Sequence, residues 1–323
     1  MTDLTLLTRR QALLPLLTIP AFTGCNRNEK KRIGVVAKGR SHVFWQSVHA
    51  GAVKAAQESN VEVEWNAPPT EAEIATQIQI VEAMINKHLD AIALAPIDKA
   101  ALVSVVERAG KAGIPIVIFD SGIDTENFVS QIATDNYKAG ELGAQRIIEI
   151  TGGKGPIAIV AVSAGAASTM AREAGFEDYI RKNAPGISVV DKRYGDAEVS
   201  KSLRVSENML TAHPEIVAFF ASNESSTTGA SQALKGRGRK VKLVGFDSGP
   251  QLEGDLRAGI IDSLVVQNPF LMGYESVMAA VRHMKGEKTE KIQNLAARLI
   301  TRDNIDNPDV QRQLNPDLKK YLG

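Results

Sequence analysis

"VEVEWNAPPTEAEIATQIQIVEAMINKHLDAIALA", Val61 to Ala95, is the stretch from which the rest of the chain can be read. "VEVEW" and "AIALA" read as short strands, and between them "EAEIATQIQIVEAMINKH" places apolar residues at helical spacing. The same alternation runs on both sides of it. From Ile33 onward further strand-like runs are "IGVVA", "IPIVIF", "SQIAT", "IAIVAV", "ISVVD", "IVAFFA", "VKLVGF" and "SLVVQ". Several lack polar alternation, as strands covered on both faces do. "STTGASQALKG" carries Ser and Thr suited to starting a helix and a Gly suited to ending one. Repeated strand–helix–strand units predict parallel sheets with helices on both sides. One series precedes "SQIATDNYKAG" and a second restarts at "GGKGPIAIVAV", each about the size of one doubly wound sheet. The expected fold class is therefore α/β: two doubly wound parallel-sheet lobes meeting at a cleft, with a single large α/β domain as the alternative.

At 323 residues the chain is long enough for two domains, and 44% apolar with 23% charged residues is a globular composition. Lys and Arg number 38 against 37 Asp and Glu, a balance that argues against a nucleic-acid partner. The basic run "KGRGRK", Lys235 to Lys240, reads as a solvated turn between a helix and a strand.

The first 25 residues differ from the rest. "TRRQALLPLLTIPAFTGC" has Arg9 and Arg10, then an apolar run too short to span a bilayer, then small residues. Residues 1–25 are read as an export signal, whose paired arginines also resemble a twin-arginine signal. Cys25 is the only cysteine, so it forms no internal disulfide. "FTGC" resembles a bacterial lipobox, which makes Cys25 the expected lipidation site and 26–32 a polar tether.

In open parallel sheets ligands bind beyond the carboxyl ends of the strands. After "IGVVA" come Lys38 to Trp45, including His42 and the adjacent aromatics Phe44 and Trp45, read as a polar loop. After "IPIVIF" come Asp120 and Ser121. "IAIVAV" leads through "SAGAAST" to Arg172, "IVAFFA" to Asn223 and Glu224, "VKLVGF" to Asp247 beside Phe246, and "SLVV" to Gln267. Singly, an Asp or Asn after a strand is a helix cap or turn former. Together they place carboxylates, amides, a guanidinium and flat rings at one end of the predicted strands. That set suits a neutral polyhydroxylated ligand. There is no H-E-x-x-H, G-x-S-x-G or phosphate-loop motif, and the five histidines show no metal-ligand spacing. No cofactor or metal is expected. Asp120 and Asp247 could imitate a glycosidase pair, on an unlikely scaffold for one.

The pieces "HVFWQSVHAGA", "IPIVIFDSG", "IATDNYKAG", "AREAGF", "MLTAHPEIVAFFASNE", "KLVGFDSGP" and "VVQNPFLMGY" occur in an order and spacing that resemble the ribose-binding-protein-like solute receptors of bacterial ABC sugar importers. The resemblance covers Ile33 to about Arg302. It implies the type I periplasmic binding fold, with a three-segment hinge near Thr134–Asp135, Gln267–Asn268 and Ala296–Arg302. One lobe would comprise 33–134 with 268–296, the other 135–267 with 297–302, and 303–323 would be a C-terminal extension. It also implies roles: Phe44 and Trp45 flanking a sugar ring, Asp120 bonding its hydroxyls, and Arg172, Asn223 and Asp247 reaching in from the second lobe beside Gln267. The chain departs from ribose receptors at Ser121, where they have arginine, at Ala197, where they have an aromatic, and at Lys38. A lysine at 38 with "NAPPTEAE" resembles receptors for autoinducer-2 or rhamnose.

The expectation is a monomeric receptor that carries a monosaccharide or polyol to an ABC permease and meets the membrane only through its lipid. A sensory receptor for a sugar-like signal and a carbohydrate-acting enzyme are the alternatives. The extension is expected either as a short helix on one lobe, through Val310, Leu314, Leu318 and Tyr321, or as a mobile tail.

Overall fold

The computed structural model describes residues 30–40, 42–235 and 241–323. The expected signal, Cys25, most of the tether, Ser41 and the basic turn after Lys235 lie outside the described residues.

Five strands come first: β1 (Arg32–Val36), β2 (Glu62–Asn66), β3 (Ala91–Leu94), β4 (Ile116–Phe119) and β5 (Ser130–Thr134). The chain then builds β6 (Lys154–Ala161), β7 (Gly186–Tyr194), β8 (Ala218–Ala221), β9 (Lys242–Phe246) and β10 (Ser263–Val266). It ends its strands with β11 (Ile292–Leu295) and β12 (Arg298–Thr301). These form two six-stranded sheets, ordered β11-β5-β4-β3-β1-β2 and β12-β10-β9-β8-β6-β7. All pairings are parallel except β10 with β12. The chain is therefore a two-lobed α/β protein. All ten runs read from the sequence are strands. The edge strands β11, "IQNL", and β12, "RLIT", carry too few buried residues to announce themselves, and Ile292 is exposed.

Helices α1 (Val43–Ser59), α2 (Ile74–Asn86) and α3 (Val103–Lys111) belong to the first lobe. Helices α4 (Asn136–Thr151), α5 (Ala167–Asn183), α6 (Val199–Ala212), α7 (Glu224–Lys235) and α8 (Pro250–Arg257) belong to the second. Helix α9 (Pro269–Met284) returns to the first lobe. On β1, Val35 joins one core with Val48 of α1 and Val277 of α9, while Val36 joins another with Val81 of α2 and Val105 of α3. On β6, Ile159 packs with Ile147 and Phe176, and Val160 with Met209 and Leu252. Burial on both faces explains the unalternating apolar strands.

Each lobe contains helices that touch backbone to backbone through paired glycines. A Cβ on Gly51 of α1 would overlap the Phe270 carbonyl of α9, and one on Gly273 the Val48 carbonyl. In the second lobe, Gly140 of α4 meets the Arg172 carbonyl and Gly175 of α5 the Tyr137 carbonyl in the same way.

The C-terminal extension forms two helices, α10 (Pro308–Leu314) and α11 (Leu318–Leu322). Val310 and Ile305 are buried in the second lobe, with Leu314 packed beside them. Helix α11 instead lies against α1, and the Tyr321 ring sits 5.6 Å from that of Phe270. The expectation of one helix on one lobe is thus corrected. The short "NPD" turn, Asn315 to Asp317, redirects the chain so that it spans both lobes.

Candidate functional site

"FDSG" occurs twice, at Phe119–Gly122 and Phe246–Gly249, once per lobe and each time where a central strand ends. In both, the Phe is fully buried and the Asp adopts a left-handed backbone, φ 60° at Asp120 and 67° at Asp247. That conformation costs a non-glycine residue about 1 kcal/mol or more, and here it turns each carboxylate off the strand end into the interlobe cleft.

Nine of the eleven candidates line one interlobe cavity: Lys38, His42, Phe44, Trp45, Asp120, Arg172, Asn223, Asp247 and Gln267. The other two lie behind it. Phe246 backs Arg172, its ring centroid 4.0 Å from the guanidinium carbon. Ser121 Oγ accepts a hydrogen bond from the Ser168 amide at 3.0 Å. Phe44 and Trp45 are not in a loop, as the sequence suggested. They occupy the first turn of α1, edge to face with centroids 4.9 Å apart, and Trp45 Nε1 donates to Glu71 at 2.8 Å. Tertiary burial overrides the polar local context: both rings belong to the first-lobe core while lining the cavity.

The first lobe contributes a buried ion pair, Lys38 Nζ to Asp120 Oδ2 at 2.6 Å, and Lys38 also donates to Ser168 Oγ of the second lobe at 3.2 Å. In the second lobe Arg172 Nε donates to Asn136 at 2.8 Å and a terminal nitrogen to the Ser222 carbonyl at 2.9 Å. Asp247 accepts from Gln267 Nε2 at 2.7 Å and from the Glu224 amide at 2.9 Å. Gln267 accepts in turn from Thr134 at 2.7 Å, tying two of the chain crossings together. Asn223 caps α7 through the Ser226 amide at 2.9 Å.

Burial pushes the Asp247 carboxyl up to about 6 although Arg172 and Gln267 favour its charge, and burial lowers Arg172 despite Asp247 and Asp120. Burial opposes a charge on His42, but a hydrogen bond to Glu224 and the fields of Glu71, Glu224 and Asp247 win, raising it to about 9. His42 lies 3.7 Å from each of Glu71 and Glu224.

Sequence reasoning missed Glu71, Ser168 and Thr169, which complete the lining, and gave Glu224 no role. Glu224 joins the lobes. Helix α1 has no side-chain cap of its own, and Glu224 accepts from its first amides, Val43 at 3.4 Å and Phe44 at 3.2 Å. With the Lys38–Ser168 and Ser121–Ser168 bonds, the lobes are held closed. The space left between them is about 30 Å³, room for one or two waters, so a larger ligand enters when the lobes part and they close again around it. At pH 7 three cations (Lys38, His42, Arg172) face four carboxylates (Glu71, Asp120, Glu224, Asp247), a near balance that favours neutral ligands. Among the described residues no group of His, Cys, Asp or Glu could hold a metal, and no helix is long and apolar enough to cross a membrane.

Two parallel-sheet lobes, crossed three times by the chain and closed over polar side chains, define a two-lobed binding protein. Residues 33–288 match the family model described as a periplasmic binding protein domain, and the chain belongs to that family. It is 28% identical over 307 residues to the ribose import binding protein of Bacillus subtilis, covering 90% of this chain and 99% of that one. It is 33% identical over 264 residues to the D-allose-binding periplasmic protein of Escherichia coli, covering 79% and 85%. Among solved structures it resembles a carbohydrate transporter solute-binding protein from Agrobacterium radiobacter in complex with D-arabinose, with 34% identity, a TM-score of 0.86, and 88% and 99% of the two chains covered.

Proposed function

We propose that this protein is the solute receptor of a bacterial ABC importer and that it binds a monosaccharide or related polyol between its lobes. The observation that carries this reading is the convergence of Asp120, Asp247, Arg172, Asn223 and Gln267 with Phe44 and Trp45 on one interlobe cavity. Relatives named for ribose and allose, and similar structures holding D-arabinose and D-fucose, support a sugar of that size.

In this reading the two FDSG carboxylates accept hydroxyl protons from opposite lobes, and Arg172, fixed by Asn136 and Phe246, donates to ring or hydroxyl oxygens. Phe44 and Trp45 offer the apolar contact. Micromolar affinity needs about 8 kcal/mol, which several charge-assisted hydrogen bonds of about 1.5–3 kcal/mol each supply after ordering costs. Residues 33–134 with 268–296 move as one lobe and 135–267 with 297–302 as the other, and the closed form is what a permease receives. Ligand favours closure only through its higher affinity for the closed state. The export signal and a lipid on Cys25 would hold the receptor in the cell envelope beside the permease.

The test is a thermal-shift screen against aldopentoses, hexoses, deoxysugars, polyols and autoinducer-2, on protein stripped of co-purified ligand. Stabilisation by RT ln(1 + [L]/Kd) with one stereochemical group is the expected result. A shift with autoinducer-2 alone, or with no compound, sinks the sugar assignment.

A further inference from the structure

On the hinge side of the cleft a second chamber, about 150 Å³, opens against Phe44, Asp247 and Gln267, which also line the interlobe cavity. Its far wall is the C-terminal extension, through Gln313, Leu314 and Leu318. That wall is fixed at both ends. Val310 anchors α10 in the second lobe, Gln313 Nε2 donates to the Gln267 carbonyl at 2.8 Å, and Tyr321 of α11 rests on Phe270 of the first lobe.

The chamber's chemistry is one-sided. Val43, Val266, Pro269, Leu314 and Leu318 give it apolar surface. Its charged lining consists of the carboxylates of Asp247 and Glu253, and no Lys, Arg or His faces it among the described residues. An anionic substituent would meet Asp247 and Glu253 with no cation in the lining to pair it, whereas a neutral one escapes that repulsion. A volume of about 150 Å³ is enough for a benzene-sized guest, and Ser47, Ser248, Gln313 and Asn315 add polar surface beside the apolar walls.

We infer that the C-terminal extension completes the binding site by forming a second compartment, which takes a neutral, largely apolar substituent of about ring size carried by the sugar. This rests on the sugar-binding reading above. The preferred ligand is then a glycoside with a small uncharged aglycone, not a bare monosaccharide and not a sugar phosphate or uronate. Asp247 and Gln267 sit at the junction, where one bonds the sugar and both meet the substituent.

The test compares calorimetric affinities of the full-length protein for D-ribose, D-allose and D-arabinose with those for their α- and β-phenyl glycosides. At least one phenyl glycoside is expected to bind tenfold or more tightly than its parent sugar. Leu318→Trp and, from α1, Ser47→Phe fill the chamber, and each should cut that gain below threefold. Melting temperatures identify a filled variant that has lost its fold, and the other variant then decides. If a parent sugar binds and every phenyl glycoside binds no better, the second compartment is refuted while the receptor reading stands. If neither parents nor glycosides bind, both are refuted.

Discussion

Asp247→Asn separates the charge of the second FDSG aspartate from its shape. Burial, outweighing Arg172 and Gln267, pushes its carboxyl up to about 6 from the ordinary 3.8. The native state therefore binds a proton over a window in which the unfolded chain does not. The contribution to stability is fully present below about pH 3.8 and is lost as pH rises through about 6. A difference of about two pKa units is worth about 3 kcal/mol at 1.36 kcal/mol per unit. For a protein of this size that is roughly 6–12 °C in melting temperature, at about 2–4 °C per kcal/mol. The asparagine adds its own cost, because its amide nitrogen must face Gln267 or the Glu224 amide, but that cost does not change with pH. The assay is ligand-free melting of wild type and Asp247→Asn at intervals from pH 3.5 to 7. The wild-type advantage should shrink by roughly 6–12 °C across this range. A gap that stays constant to within about 2 °C would show that Asp247 is not held proton-rich by burial, and would remove the electrostatic account of the site.

Arg172→Ala and Asp120→Ala should each weaken binding of the best sugar at least tenfold by calorimetry, with the protein still folded; unchanged affinity in both would move the site elsewhere. The charge on His42, raised to about 9, draws the lobes together below about pH 6.5 and is lost as pH rises through 9. The ligand-free radius of gyration from X-ray scattering should therefore increase between pH 7 and 10, and the increase should be absent in His42→Gln. Glu224→Ala removes the cap that the second lobe gives α1, at about 0.5–2 kcal/mol, and should open the ligand-free protein at neutral pH as seen by scattering. Gly140→Ala forces α4 off the Arg172 carbonyl and should cost about 1–3 kcal/mol in urea unfolding, whereas Gly254→Ala, with open space around it, should be neutral or stabilising.

The central strands were legible because burial on both faces writes itself as unbroken Val, Ile, Ala and Phe. Strands β11 and β12 were not, since "IQNL" and "RLIT" lie at sheet edges with only one buried residue each. At the site, residues that directly follow apolar strands could be picked out from the strand-end rule alone. Ser168 and Thr169 could not, because they lie in the first turn of α5, beyond the small-residue loop that follows β6. The loop reading of Phe44 and Trp45 failed because no Ser, Thr, Asp or Asn stands at 42 to announce α1, and the missing cap comes from Glu224, 180 residues away from Phe44. The repeated FDSG was the clearest unused signal. One tetrapeptide at the end of a central strand in each lobe marks the two carboxylates that face each other's territory. Ala197 is buried with φ 56° and borders a cavity of about 270 Å³ together with Lys38.

The three crossings also order events during synthesis. Strands β6 to β10, with the helices between them, emerge as one continuous stretch, so the second sheet lacks only its edge strand β12 when residue 266 has been made. The first sheet is begun earlier and finished later. Helix α9, whose glycine contact with α1 closes one face of that sheet, and edge strand β11 are not available until residues 269–295 follow. A nascent chain halted near residue 267 would therefore carry a nearly complete second lobe behind a first lobe with one apolar face still bare. The N-terminal half, though translated first, depends on residues 269–295, near the far end of the chain, to become a lobe at all.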